Sequence, residues 1–132
     1  MRTFALFVTC LMIVSCTSPP LEEAKSRQLV EEHIRESSNQ NYDRVLELYD
    51  PAFLASEPAA VKVEKLQKLN QVLGPVEKFE FVKSTDVKEM GVPRQLKLEY
   101  TVKHVHANTT ETFVVVEAEG GYKIAGYYVE EK

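Results

Sequence analysis

The 132-residue sequence has few cysteines and no cluster of basic residues. Its two cysteines, Cys10 and Cys16, both lie near the N-terminus, so the rest of the chain cannot form an internal disulfide. Lysines and arginines are scattered through a chain of formal net charge −4, which argues against binding to nucleic acid. A nucleophile motif, a glycine-rich phosphate loop and a CxxC pair are all missing. We therefore expect a protein that is not an enzyme and carries no cofactor.

A long apolar segment is present only at the N-terminus. It runs from Phe4 to Val14, eleven residues interrupted by a single Thr, and it follows Arg2. A positive charge before an apolar stretch of this length is typical of an export signal. The stretch is too short to span a bilayer, which needs roughly 20 residues. The sequence therefore predicts an exported chain in which residues 1–15 form a signal peptide.

The signal ends in Ile13-Val14-Ser15-Cys16, and these four residues resemble the lipobox of bacterial lipoproteins. The resemblance implies that Cys16 carries a diacylglyceryl thioether, becomes the new N-terminus and is open to acylation there. Two or more acyl chains hold a soluble domain firmly on a bilayer, whereas one chain does not. The alternative is an ordinary secretory signal that is cleaved elsewhere and leaves Cys16 as a free thiol.

Residues 16–20 would then form the lipidated cysteine and its tether. The four residues after Cys16 reach at most roughly 14 Å, which keeps the domain close to the lipid headgroups. Thr17 follows the cysteine, in place of the Asp that resembles an inner-membrane retention signal. We therefore expect an anchor in the outer membrane of a bacterial envelope, with the domain facing the periplasm.

The first part of the remaining chain has helical periodicity. Apolar residues recur at spacings of three and four, which predicts one helix ending near Ser38, a second over 42–49 and a third over 56–73. Asp50-Pro51 is expected to end the second helix, and Gly74-Pro75 the third.

After residue 75 the period changes to two. Leu96, Leu98, Tyr100 and Val102 alternate with polar residues, the pattern of a half-buried strand. Ala107-Asn108-Thr109 reads as a turn, after which strands are expected over 112–118 and 122–130, joined by a glycine hairpin. Helices followed by a four-stranded antiparallel meander predict a single α+β domain over residues 21–132, with the helices on one face of the sheet.

Several segments resemble the nuclear transport factor 2-like superfamily, also called the cystatin-like cone. They are Leu48-Tyr49-Asp50-Pro51-Ala52-Phe53, Leu73-Gly74-Pro75 and Gly120-Gly121-Tyr122-Lys123-Ile124-Ala125-Gly126-Tyr127. The resemblance covers about residues 29–129, and it implies a curved sheet that wraps around helices and leaves a pocket at the wide end. The superfamily includes isomerases, dehydratases and binding modules, so the resemblance does not select a function.

The predicted pocket residues are Tyr100, Val102, His104 and Phe113. His104 and His106 share one strand face and could chelate a metal, but a tight site needs a third and usually a fourth ligand. The remaining histidine, His33, is interpreted as a helix-boundary residue. We therefore expect no metal site.

The leading hypothesis is a lipid-anchored, non-enzymatic module that binds a small apolar ligand or an envelope protein. The alternative is a small isomerase- or hydratase-like enzyme, which needs a buried carboxylate beside a tyrosine donor such as Tyr100. The available acids are expected to face outward or to lie near turns; they are Asp86, Glu99, Glu111 and Glu117.

A third hypothesis is a structural or dimerising envelope protein. It predicts an exposed apolar patch on the outer face of the sheet. The last two strands are apolar on both faces, so the candidates for such a patch, and for a homodimer, are Val114, Val116, Tyr127 and Val129.

Overall fold

The computed structural model describes residues 19–132. The predicted signal peptide, Cys16 and Thr17-Ser18 lie outside the described residues. The helices are α1 (Glu23–Ser38), α2 (Tyr42–Glu47), α3 (Pro51–Ala55) and α4 (Ala59–Leu73), and the strands are β1 (Val76–Val87), β2 (Gln95–His104), β3 (Asn108–Ala118) and β4 (Gly121–Glu131). The strands form one antiparallel sheet in the order β1-β2-β3-β4. Over residues 19–132, no helix has the length and apolar content needed to cross a membrane.

The ends of the helices follow from local chemistry. Pro51 occupies the first turn of α3, and the Asp50 carboxylate accepts a hydrogen bond from the Ala52 N–H at 3.1 Å. The Asp50-Pro51 pair thus starts a short helix as well as following α2. At the end of α4, Gly74 has a φ of +78°, and a Cβ placed there would lie 2.9 Å from the His106 ring. This position therefore requires glycine.

The helices cover the inner face of the sheet, and the core lies between them. β2 contributes Leu96, Leu98, Tyr100 and Val102, all buried, while the residues between them on the outer face are partly or fully exposed. α1 packs Val30 and Ile34 against this face. Each such side chain stabilises the fold by roughly 1.5–3 kcal/mol when it is fully buried.

The β2–β3 connection is shorter than the sequence predicted. β3 begins at Asn108, and Thr109 pairs with Val102, so the predicted turn at Ala107-Asn108-Thr109 is wrong at its last two residues. The longer strand extends the alternation of β3 backwards through Glu111. Glu111 and Thr109 therefore share the inner face with Phe113, and the prediction that Glu111 faces outward is wrong.

Candidate functional site

A groove lies between α4 and the C-terminal half of β4. Its volume is about 680 Å³, within the range of small-molecule sites. Thr109 and Tyr127 line it from the sheet, beside Tyr49. The apolar residues that line it are Phe53, Leu66, Leu69, Val72, Leu73 and Val129. Val72 has 71% of its surface exposed, which shows that this side of α4 is not covered by the rest of the described chain.

Charged side chains also line the groove; they are Glu57, Lys62, Lys65, Lys68 and Glu131. Lys62 is the unusual member, because only 4% of its side chain is exposed. Its ammonium lies 3.0 Å from the Ser56 hydroxyl, 3.4 Å from the Glu57 carboxylate and 4.4 Å from the centre of the Phe53 ring. With three lysines and two glutamates, this lining is positive on a chain whose net charge is −4.

Glu57 is shared between two of these lysines. Lys65 donates to it at 2.6 Å on the exposed side, opposite Lys62. The hydrogen bond from Lys65, assisted by Lys62, lowers the pKa of the Glu57 carboxyl. Glu57 therefore remains ionised and ties the start of α4 to the loop that precedes it.

Behind the groove, the sheet buries a carboxylate. Glu111 is only 3% exposed, and three side chains donate to it. The Tyr127 hydroxyl reaches Oε1 at 2.5 Å, while the Thr109 hydroxyl and His104 Nε2 reach Oε2 at 2.7 and 2.9 Å. Burial raises the pKa of Glu111, but the hydrogen bonds from His104, Tyr127 and Thr109 outweigh it, and the net pKa lies below the ordinary value.

His104 faces a hydrogen-bond acceptor at each ring nitrogen. Its Nδ1 lies 3.1 Å from the carbonyl oxygen of Gly74, and its Nε2 faces the Glu111 carboxylate. Since a carbonyl and a carboxylate can only accept, both nitrogens must donate, and the ring is an imidazolium. Burial lowers the pKa of His104, but the hydrogen bonds to Glu111 and Gly74 raise it by more than burial lowers it. The net pKa therefore lies above the ordinary value.

A second histidine in this region has the opposite protonation. His33 lies within α1 and is fully buried, so its interpretation as a helix-boundary residue is wrong. Its Nε2 is 2.9 Å from the Tyr49 hydroxyl, while Nδ1 has no hydrogen-bond partner among the described residues. Its ring lies 4.7 Å from that of Tyr127 and 5.2 Å from that of Phe113, centre to centre. Burial lowers its pKa to about 4, so the ring is neutral near pH 7.

A small cavity of about 30 Å³ separates α1 and α4 from this polar cluster. His33, His104, Glu111 and Tyr127 all line it, and it has room for about one water molecule. Glu111 lines this cavity but not the groove, which Thr109 and Tyr127 line instead. The buried carboxylate is therefore separated from the groove by two of its own hydrogen-bond donors.

The predicted pocket residues lie mostly elsewhere. Tyr100, Val102 and Phe113 are fully buried in the core and do not line the groove, and the Tyr100 hydroxyl donates to Glu31 at 2.9 Å. His104 lines the small cavity. His106 is exposed, and within residues 19–132 no three His, Cys, Asp or Glu side chains are placed to hold a metal ion.

The predicted outer patch is divided between the faces of the sheet. Tyr127 and Val129 line the groove on the inner side, so their assignment to the outer face is wrong. Val114 is half-buried and Val116 is buried. The register shift between Val114 and Val115 leaves Ala125 of β4 as the extra residue of a bulge.

Sequence reasoning missed Thr109, Glu111 and Lys62. The signal for the first two is alternation: Thr109, Glu111, Phe113 and Val115 are two residues apart, and extending the strand back from Val115 places all four on one face. No local signal marks Lys62, because its burial depends on the approach of Phe53 in α3 and of Ser56 at the end of that helix.

The sequence matches no family model and no curated protein. Solved structures similar in fold include Bdellovibrio bacteriovorus Bd1075, with a TM-score of 0.55, 13% identity and 83% of this chain covered. This chain spans only 40% of that protein.

Two further solved structures are matched over nearly the whole length of their own chains. The β subunit of benzoate 1,2-dioxygenase from Burkholderia mallei has a TM-score of 0.54 and 9% identity, over 87% of this chain and 93% of that one. A nuclear transport factor 2-like protein of unknown function from Cytophaga hutchinsonii has a TM-score of 0.44 and 16% identity, over 81% and 89%.

These likenesses concern the fold and carry no function across. The predicted fold class is confirmed: this chain is an α+β domain with helices on one face of a curved four-stranded antiparallel sheet.

Proposed function

We propose that this protein is a lipid-anchored module of the bacterial envelope that binds an apolar ligand or a segment of a partner protein without transforming it. The observation that carries the proposal is the groove between α4 and β4. It combines an apolar lining with lysines and is not filled by side chains of the described chain. Sites for small molecules have this composition, apolar walls with a few polar groups that set orientation.

The state of Glu111 supports binding over catalysis. An isomerase- or hydratase-like enzyme, the alternative function, would need a carboxylate of raised pKa within reach of the substrate. The pKa of Glu111 is lowered, and its oxygens already accept three hydrogen bonds. Thr109 and Tyr127 stand between this carboxylate and the groove. A ligand in the groove would meet the Tyr127 ring and not the Glu111 carboxylate.

The start of the described chain supports an orientation for the groove. The Glu22 N–H donates to the Tyr122 hydroxyl at 2.8 Å, which holds the start of the domain beside the start of β4. Val129 lies seven residues further along β4, roughly 23 Å away at about 3.3 Å per residue. A short tether from a lipidated Cys16 would therefore keep the Tyr122 end near the outer membrane and direct the groove into the periplasm.

The anchor is tested by Cys16→Ala in the full chain. We expect the wild-type protein to incorporate radiolabelled palmitate and to be processed by the lipoprotein peptidase. The variant should remain an unlabelled precursor, because it lacks the thiol that carries the lipid. Normal labelling of Cys16→Ala would refute the anchor and would leave the groove proposal standing.

The groove is tested by energy transfer, because the chain has no tryptophan. In full chain reconstituted into phosphatidylcholine vesicles, Val72→Trp places a donor in the groove, and 8-anilinonaphthalene-1-sulfonate serves as an apolar, anionic probe. We expect saturable transfer from Trp at 72 that Leu69→Glu abolishes. The matched control is Val82→Trp, because Val82 is 49% exposed on β1. Equal transfer from both positions would show that the probe does not bind in the groove.

A further inference from the structure

The outer side of β4 carries unused backbone groups beside the groove. The Lys132 N–H donates to the Asn108 carbonyl at 2.9 Å, so these two residues form a hydrogen-bonded pair. Antiparallel pairs alternate, and the N–H and C=O groups of Tyr127, Val129 and Glu131 therefore point away from β3. On that side, the backbone contacts of β4 within the described chain are made by Ile124, with Leu48 and Asp50.

The same residues send their side chains into the groove. Tyr127, Val129 and Glu131 all line it, opposite Leu69 and Val72 of α4. One stretch of β4 thus offers both a row of backbone donors and acceptors and an apolar slot next to them. An extended chain needs these two elements to join a sheet, since the backbone bonds supply affinity and the alternate side chains supply specificity.

The opposite edge of the sheet is protected along its length, whereas the stretch of β4 from Gly126 to Glu131 carries charge only at its end, at Glu130 and Glu131. β1 has two register shifts, and charged residues recur along it, among them Lys78 and Lys83. Irregular and lysine-bearing edges resist pairing with another strand. β4 has no shift between Gly126 and Glu131, and this stretch contains neither proline nor lysine.

We propose that the groove accepts an extended peptide segment of a partner protein, which adds to β4 along Tyr127–Glu131 as a fifth strand. The segment carries apolar side chains at alternate positions, and an acidic group that faces Lys65 and Lys68. The charge follows from complementarity, because those two side chains are 64% and 70% exposed in a groove with more lysines than glutamates. This inference rests on the proposed function and specifies its ligand.

The decisive measurement is amide hydrogen exchange in the wild-type full chain, in vesicles. The probe is the peptide with the highest affinity from a random display library selected on the same vesicles. We expect enriched peptides with alternating apolar residues and at least one acid, and we expect the bound peptide to slow exchange in residues 126–131. If the library yields no binder, or if this segment exchanges as before, strand addition is overturned, and the dye measurement still decides whether the groove binds anything.

Matched variants of Val129 separate backbone pairing from side-chain contact. Val129→Pro removes an N–H that points to the peptide and breaks no bond to β3, whereas Val129→Thr keeps the N–H and the shape. We expect about a tenfold loss of peptide affinity for Val129→Pro and less than threefold for Val129→Thr. Equal affinities would overturn strand addition. Circular dichroism checks that Val129→Pro folds, and the exchange experiment does not depend on it.

Three further results would redirect or overturn the inference. The double variant Lys65→Glu, Lys68→Glu should lower the affinity for acidic peptides by about tenfold or more. Unchanged affinity would overturn the preference for an acidic group. A dimer of the wild-type chain without peptide that Val129→Pro dissociates would show that the occupant is a second copy of this chain. Equal peptide binding to wild type and Leu69→Glu would place the site outside the groove, which contradicts the proposed function as well.

Discussion

His33 and His104 line the same small cavity, and both are buried, but they carry different charges. Burial dominates for His33 and lowers its pKa to about 4, whereas the pKa of His104 is raised. The difference lies in the partners. His104 meets a carbonyl and a carboxylate, while His33 meets one hydroxyl and has a second nitrogen without a described partner. A buried histidine is therefore charged or neutral according to the acceptors around it, and the degree of burial does not decide the outcome.

The comparison also distinguishes two ways of burying polar groups. The His104–Glu111 pair is satisfied at all four of its ring and carboxylate atoms by groups from α4's end, β2, β3 and β4. His33 instead packs its ring against Tyr127 and Phe113 and behaves largely as an aromatic core residue. The stability contributed by the His104–Glu111 pair should depend strongly on each of its partners. The stability contributed by His33 should depend on pH.

The largest effect is expected from Glu111→Ala. The change leaves the His104 imidazolium buried without its counter-ion and opens a cavity, and breaking a buried pair costs about 3–5 kcal/mol of unfolding free energy. Urea denaturation at pH 7 measures it. The control is Glu117→Ala on the same strand, an exposed site where the change should stay within about 0.5 kcal/mol. Equal losses for the two variants would contradict the buried ion pair.

A smaller loss of stability is expected when the pH is lowered. The folded-state pKa of His33 is about 4, below its ordinary 6.5, so the unfolded chain binds the proton first as the pH falls. Stability should therefore decrease between pH 6.5 and 4, by about 1.4 kcal/mol per pH unit and roughly 3 kcal/mol in total. Urea denaturation from pH 7 to 4.5 tests this against His33→Gln, which should lose most of the slope. An unchanged slope in the variant would assign it to other groups.

The smallest loss of stability is expected when the pH is raised. The pKa of His104 is raised in the folded chain, so its contribution to stability is fully present below its unfolded pKa and is lost as the pH rises through the folded value. The urea midpoint should fall as the pH rises above about 6.5, the ordinary pKa of histidine. His104→Gln should flatten this decrease, whereas His106→Gln, at an exposed position on the following turn, should retain it. A decrease that persists in His104→Gln would contradict the charged state.

Much of the fold can be predicted from local patterns in the sequence. The period-two alternation of Leu96 to Val102 places these residues on the inner face, and Gly74 ends α4 because its φ is positive. The prediction for Glu111 was wrong because the turn before β3 was placed two residues too late. With the strand begun too late, Glu111 was not recognised as part of the alternation that includes Phe113. The groove was predicted on β2 and β3, but α4 lies against the end of β4, and no local pattern encodes the distance between them.

The sequence by itself determined that helices precede four antiparallel strands, although it did not predict the short α3. It also determined the faces of β2 and the glycine at position 74, because these depend on neighbours within one turn or one strand. The tertiary structure alone decided which histidine is charged and where the groove lies. The carbonyl that sets the protonation of His104 lies 30 residues away, and its carboxylate partner belongs to the next strand. A pKa depends on the groups that surround the ring in space, and only the register of the sheet and the position of α4 bring those groups together.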